Sequence, residues 1–369
     1  MSRTRRDPGS GWRRATLLAL ALAACRTVDE PDAGLVNAPF TAASTQPVRI
    51  IYPAAPGSFV NLAADARDAV VAIRSASKVV NGPGSLYPGG ADDLALGSGF
   101  FVDDQGHVLT SERVIATARE LRVVTTDGTE LPAKVIGRDT RLDVALLAVE
   151  GVTEARTLAL GASSALQVGE WVVALGDPFG GEVTASAGIV SALGRNRGGD
   201  LTRGDVADYA AFVQTSAPVH AGNAGGPLVN MAGEVVGICS APEPRGGPIG
   251  FAVPIDRIKD ILPMLQANGA VSRTWLGIYM HPVTPALAHE LGMPDAGGAL
   301  VADVVVPSPG ARAGLRRGDV ILSFAGRQVD SRNLPWIAST TGVGQSVALE
   351  VWRSQGIVNL TLITEAMPK

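Results

Sequence analysis

Two cysteines and four histidines in 369 residues leave little room for disulfide or metal chemistry. The histidines, His107, His220, His281 and His289, lack the close spacing of a ligand set, and no glycine-rich loop ends in Lys-Ser/Thr, so neither a metal nor a phosphate cofactor is expected. Charge is also sparse, at 18% of residues with a net of −4, and no basic cluster follows the N-terminus, which argues against a nucleic-acid partner. Long apolar runs are missing too. "ATLLALALAA" offers about ten apolar residues, too short to span a bilayer stably, and no transmembrane helix follows.

What that run does fit is a leader. "MSRTRRDPGSGWRR" supplies five arginines ahead of it, and Leu22-Ala23-Ala24-Cys25 closes it. The layout, residues 1–25, resembles a bacterial lipoprotein signal in which Cys25 becomes the lipidated first residue; a plain secretory signal with a chance cysteine is the alternative. Lipidation of Cys25 would leave Cys239 as the sole thiol, with no disulfide possible. Cys239 lies in the apolar "EVVGICS" and reads as an inert core residue. Residues 26–57, rich in Ala, Pro, Thr and Asp without a sustained period, read as a tether.

The remaining chain is β-rich: short valine-rich runs are punctuated by 44 glycines and 24 prolines. "AVVAIRS", "GSGFFVDDQGHVLTS", "LRVVTTDGTELPAKVIG" with its Asp-Gly turn, "LDVALLAVE", "EWVVALGDPFG", "VTASAGIVSALG", "GPLVNMAGEVVGICS" and "IGFAVPI" read as closely spaced antiparallel strands, hence sandwich or barrels. "PIDRIKDILPMLQANG" places Ile255, Ile258, Ile261, Leu262 and Leu265 at helical spacing and ends at Gly269 as a C-cap.

In order and wording these segments, about residues 58–270, resemble the protease domain of the HtrA/Deg family. The resemblance implies a mostly β fold, a chymotrypsin-like double β-barrel. "GALVADVVVPSPGARAGLRRGDVILSFAGRQV" resembles the same family's PDZ core, with a short helix expected at Ala311–Leu315, so residues 271–366 imply one α+β PDZ domain. "NLPWIAS" is expected to open the second PDZ helix.

The catalytic pattern of the family is broken. A serine at Ala224 would turn "GNAGGPL" into the nucleophile loop, and Thr110-Ser111-Glu112-Arg113 puts arginine where the family has its histidine. Asp143, in "DTRLDVALLAV", retains the aspartate. Alanine has no attacking oxygen, and an arginine has no acceptor nitrogen and does not deprotonate, so nucleophile and base are both absent. Ser216 stands where an aspartate is common in the family. His107 is not obviously aimed at the cleft; His220, four residues before Ala224, borders it with nothing to activate.

Other family features are retained. The resemblance assigns oxyanion and peptide contacts to the backbone of Gly222, Asn223 and Ala224 and to Ile249, Gly250 and Phe251. It assigns a carboxylate-binding PDZ loop to Trp275, Leu276, Gly277 and Ile278; packing of Trp275 and Leu276 at a domain interface is the competing reading. Arg113 is expected either to pair with Asp143 or to point to solvent, leaving the carboxylate to backbone N–H groups. The expected function is an envelope-anchored, periplasm-facing pseudoprotease binding unfolded or C-terminal peptide segments, as chaperone, adaptor or regulator. An active serine endopeptidase with a displaced catalytic set and a purely structural scaffold are the alternatives. Tyr52 and Phe59 are candidates for a homotrimer contact, and association with active relatives is a further possibility.

Overall fold

A short helix α1 (Val60–Arg67) leads into six strands: β1 (Val70–Ser75), β2 (Gly97–Phe101), β3 (His107–Thr110), β4 (Leu121–Val124), β5 (Glu130–Asp139) and β6 (Val144–Val149). They close into a barrel in the order β1-β2-β3-β6-β5-β4, with a one-turn helix α2 (Glu112–Ile115) after β3. A second barrel follows the same logic, β10-β11-β12-β9-β8-β7, from β7 (Trp171–Gly176), β8 (Thr184–Arg195), β9 (Phe212–Thr215), β10 (Pro227–Asn230), β11 (Val235–Ser240) and β12 (Gly250–Pro254). The computed structural model describes residues 56–75, 97–116, 118, 120–152, 154–178, 181–195, 211–240 and 249–368. The leader, Cys25, Tyr52 and all but the last two residues of the tether lie outside them.

The valine-rich runs form strands because both of their faces are buried. In β1, Val71 and Ile73 point into the first barrel, while Val70 joins a cluster between the barrels with Phe100, Leu109, Val173, Leu175 and Ile238. Alternate residues thus face two different apolar environments, and polar alternation disappears. The Asp-Gly turn joins β4 to β5 as expected: Asp127 accepts hydrogen bonds from Thr125 Oγ1 and the Thr129 N–H, and Gly128 has φ +83°.

Helix α3 (Ile255–Asn268) closes the second barrel and buries Ile255, Ile258, Ile261 and Leu265 on the face the spacing indicated. Gly269 ends it in the left-handed region, φ 69°, its N–H returning to the Leu265 carbonyl.

The C-terminal part contains β13 (Thr274–Trp275), β14 (Ile278–Pro282), α4 (Pro285–Glu290), β15 (Ala299–Val304), α5 (Pro309–Arg312), β16 (Val320–Phe324), β17 (Arg327–Gln328), α6 (Leu334–Thr340), β18 (Ser346–Arg353), β19 (Gly356–Ile363) and β20 (Glu365–Ala366). Its main sheet runs β14-β15-β16-β18-β19. In β18, Val347, Leu349 and Val351 enter the core while Ser346, Ala348 and Glu350 face out. Helix α5 begins two residues earlier than Ala311, because Ser308 Oγ accepts the Ala311 N–H and fixes the N-terminus there.

The expected second helix is α6, and it packs in two directions. Leu334, Ile337 and Ala338 face their own core, but Trp336, 1% exposed, joins the cluster between the barrels. Its indole N–H donates to Asp260 Oδ2 of α3 at 2.7 Å, and the guanidinium groups of Arg257 (4.6 Å) and Arg273 (4.9 Å) each lie over its ring. Burial against this ring pushes the Arg257 guanidinium down to about 10. Arg273 also donates to Asp139 at the end of β5 and to Ser339 Oγ (3.1 Å). Pro56–Lys369 accordingly forms one unit. Trp336 is a tryptophan of the junction, and Leu276 packs into the PDZ core.

Candidate functional site

The loop between β5 and β6 holds Asp143. Asp139 Oδ1 accepts the N–H groups of Arg141 and Leu142, each at 3.0 Å, and the tight bend leaves Asp143 at φ 60°. Its carboxylate is buried, and burying an unsupported charge is costly. Support comes from both barrels. Oδ1 accepts from Ser111 Oγ (2.6 Å) and from the Arg113 N–H (3.0 Å), and Oδ2 accepts from Ser240 Oγ (2.7 Å) at the end of β11.

The Arg113 guanidinium approaches the same carboxylate only to 3.8 Å, and its side chain is 49% exposed. Both sequence-based expectations are met in part: the ion pair exists at its outer limit, but two hydroxyls and one backbone N–H make the short bonds. Glu112 beside it is buried. Burial pushes its carboxyl up, Asp143 adds to this, and Arg138 at 3.6 Å and Arg113 act in opposition.

Ala224 is fully buried and packs with Val114 in the first barrel's core. The glycine after it is required: Gly225 has φ +84°, and a Cβ there would stand 2.3 Å from both Ser98 O and Thr110 Oγ1. Ser98 joins the loop to both barrels, since its N–H donates to Ala224 O (2.8 Å), its Oγ donates to Gly222 O (2.6 Å), and that Oγ accepts the Asp177 N–H (2.8 Å).

The expected oxyanion donors need correction. Residues Ala221–Asn223 form a 3-10 turn capped by His220. The Gly222 N–H donates to His220 Nδ1 at 3.1 Å, and the Asn223 and Ala224 N–H groups donate to His220 O at 3.2 and 3.0 Å. All three donors are satisfied inside the loop, so none faces an incoming oxyanion in this conformation. The sequence reading counted these N–H groups without the histidine that takes them.

Other expected residues fall around this centre. Phe251 pairs across the sheet with Ser240, which holds Asp143, so β12 borders the Asp143 carboxylate. Ile249 precedes it, 39% exposed, and a Cβ at Gly250 would lie 2.5 Å from Ala217 O. Ser216 Oγ accepts the Ile189 N–H (3.0 Å). His107 is turned elsewhere, its Nδ1 2.5 Å from Asp103. Burial raises the Asp103 carboxyl, but His107, together with the Gln105 N–H, outweighs this and holds it below the ordinary range. His281 lies on β14 and His289 in α4, apart from the cleft, and no His/Cys/Asp/Glu cluster that could hold a metal occurs among the described residues. Cys239 is buried, and burial pushes its thiol up to about 12.

In the C-terminal domain, Leu276 O accepts the Gly310 N–H and Gly277 O accepts the Val305 N–H, both at 2.8 Å. Gly277 has φ +72°, and a Cβ there would meet Ser308 Cβ at 2.2 Å. The carbonyls of the loop are thus fixed, while its Leu276 and Gly277 N–H groups have no acceptor among the described residues. Strand β14, which follows, pairs with β15 alone and is an edge of its sheet. Phe59, the other candidate contact residue, packs its ring 5.6 Å from Trp171.

Two six-stranded barrels, tied together at Asp143 by Ser111 and Ser240 and followed by a PDZ-type sheet, define a trypsin-like peptidase fold joined to a PDZ domain. Comparison with known proteins agrees: residues 97–238 match the trypsin-like peptidase domain and residues 274–364 match the PDZ domain. A "Probable periplasmic serine endoprotease DegP-like" of Pseudomonas savastanoi pv. phaseolicola is 42% identical over 296 residues, 78% of this chain and 60% of that protein. The protein of the same name from Hahella chejuensis is 44% identical over 263 residues, covering 70% of this chain and 54% of its own length. The chain therefore spans a little over half the length of these relatives. The solved structure "HtrA-type protease AlgW with tripeptide" superposes with a TM-score of 0.68 at 32% identity, covering 85% of this chain and 98% of that one. The chain belongs to the HtrA/Deg family.

Proposed function

We propose that this chain is a non-hydrolytic member of its family that binds unfolded or C-terminal peptide segments and acts as a holder, adaptor or regulator of active relatives. The observation that carries this reading is the state of the triad positions. Ala224 presents a buried methyl group, Arg113 cannot accept a proton, and Asp143 is engaged by Ser111 and Ser240. Losing the triad of a serine protease lowers turnover on the order of a millionfold. The two histidines of the barrels have other partners: His107 is held by Asp103, and His220 caps its own loop.

Two surfaces support peptide binding. The Leu276–Gly277 N–H groups beside the β14 edge suit a terminal carboxylate and an added strand. In the cleft, Ile249, exposed just ahead of β12, offers an apolar contact to an internal segment, while β12 itself is paired on both sides within its barrel. The solved AlgW complex with a tripeptide supports peptide binding and the relatives' names support a periplasmic place, while those same names describe serine endoproteases. We further propose lipidation at Cys25, with the chain facing the periplasm, and assembly as a homotrimer or with active relatives.

A panel of fluorescent peptides, each with a free or an amidated C terminus, tests this. Binding that needs the free carboxylate and weakens when Gly277→Ala blocks the loop is expected. A panel in which no peptide binds would leave a structural scaffold. Cleaved peptide would overturn the reading in favour of an active endopeptidase with a displaced catalytic set.

A further inference from the structure

We infer that His220 is a proton-operated latch on the loop that carries Ala224, and so governs whether the cleft can hold a peptide backbone. The inference rests on the cleft reading above but is carried by a separate set of contacts. Nδ1 of the ring accepts the Gly222 N–H at 3.1 Å, which requires that nitrogen to be unprotonated. In return Asn223 Oδ1 accepts the His220 N–H at 2.8 Å, so side chain and backbone cap each other. The Asn223 amide donates in turn to Pro218 O at 3.0 Å. With the ring neutral, the turn is closed and the Gly222 N–H is consumed.

Protonation converts Nδ1 into a donor facing another donor. The reciprocal cap cannot survive that change. Gly222 is then released to serve a carbonyl or carboxylate of a docked segment, while the Ser98 hydroxyl still anchors its carbonyl. A glycine is necessary for this contact, because a Cβ at Gly222 would stand 2.3 Å from Pro178 Cβ.

The surroundings contribute few competing charges. Strand β2, against which the turn packs, has no titratable residue from Gly97 to Phe101, and neither does β7 from Trp171 to Gly176. The loop after β7 contributes Asp177, fully buried, whose carboxylate accepts the Gly181 N–H. Beyond Ala224, α2 carries Glu112, facing Arg138, and Arg113, facing Asp143. No ion pair involves His220 among the described residues.

The test follows two readouts across pH on the full chain. One is hydrogen-exchange protection of the Gly222 amide, corrected for intrinsic exchange, beside the His220 ring titration by NMR. The other is binding of a fluorescein-labelled, valine-rich peptide with an amidated C terminus, which excludes the PDZ carboxylate loop. Gly222 is expected to lose protection at the same midpoint at which His220 gains its proton, and peptide binding to tighten there by about two- to tenfold, the range one net hydrogen bond is worth. His220→Asn, which keeps a side-chain acceptor that does not titrate, is expected to stay latched and bind weakly at every pH. His220→Ala is expected to bind with the low-pH affinity throughout. Protection of Gly222 that persists below the His220 midpoint would overturn the latch. Loss of protection with no peptide bound at any pH would instead retain the latch and remove peptide holding in the cleft.

Discussion

Replacing Trp336 by alanine is the sharpest structural perturbation available. Its indole is 1% exposed, belongs to the cluster between the barrels although it comes from the PDZ helix α6, and contacts Asp260 and Arg257 of α3 as well as Arg273 just after it. A buried aromatic truncated to alanine typically costs about 3–5 kcal/mol. Two cation–π contacts and the bond to Asp260 are lost with it, and Asp260 is left without its 2.7 Å donor. At about 2–4 °C per kcal/mol for domains of 150–250 residues, the first transition in calorimetry should fall by about 6–20 °C. It should also split, because the PDZ domain loses its strongest tie to α3. Trp336→Phe keeps a ring for the two guanidinium groups but no N–H, and should give an intermediate shift. Trp275→Ala, half-buried on β13, serves as the control with a small effect. If Trp336→Ala melts as one transition within a degree or two of the parent, the junction described here is not what holds the domains together.

Other consequences follow from the contacts around Asp143. Arg113→Ala should cost less than about 1 kcal/mol by denaturant titration, since its guanidinium is half-exposed and 3.8 Å from Asp143. Asp143→Ala should cost clearly more by leaving the Ser111 and Ser240 hydroxyls unmatched, and equal losses would refute the division of labour. The raised carboxyl of Glu112 contributes stability that is complete below its unfolded value and is lost as pH rises through its folded one. Glu112→Gln should therefore raise the melting temperature near neutral pH but not near pH ~4, and a gain confined to acid would contradict the assignment. The thiol of Cys239, buried and pushed up to about 12, should react with a disulfide reagent at pH ~8 only as the protein unfolds, and rapid labelling of the native chain would refute its burial.

The fold was legible in the strand wording, and α3 in its spacing and terminal Gly269, because burial on a single face or between two apolar layers leaves a period that can be counted. Arg113, Asp143 and Ala224 were legible because the motifs around them fix their places. The support of Asp143 was not. Ser111 and Ser240 are 129 positions apart in the sequence, and they meet only where β11 passes the bend that gives Asp143 its positive φ. Trp336 escaped for a similar reason: its partners Asp260, Arg257 and Arg273 belong to elements whose packing no local period encodes. The role of His220 was hidden most completely. The loop motif promised free N–H groups, but the His220 ring takes that of Gly222 and the His220 carbonyl takes those of Asn223 and Ala224.

The measurement that bears most directly on the central claim is incubation of the chain with an unfolded protein substrate, with intact mass spectrometry of the substrate over time and, in parallel, capture of the complex. The account predicts that substrate is retained and remains uncut. Fragments that accumulate with time, and stop accumulating when a serine-directed inhibitor is added, would contradict it.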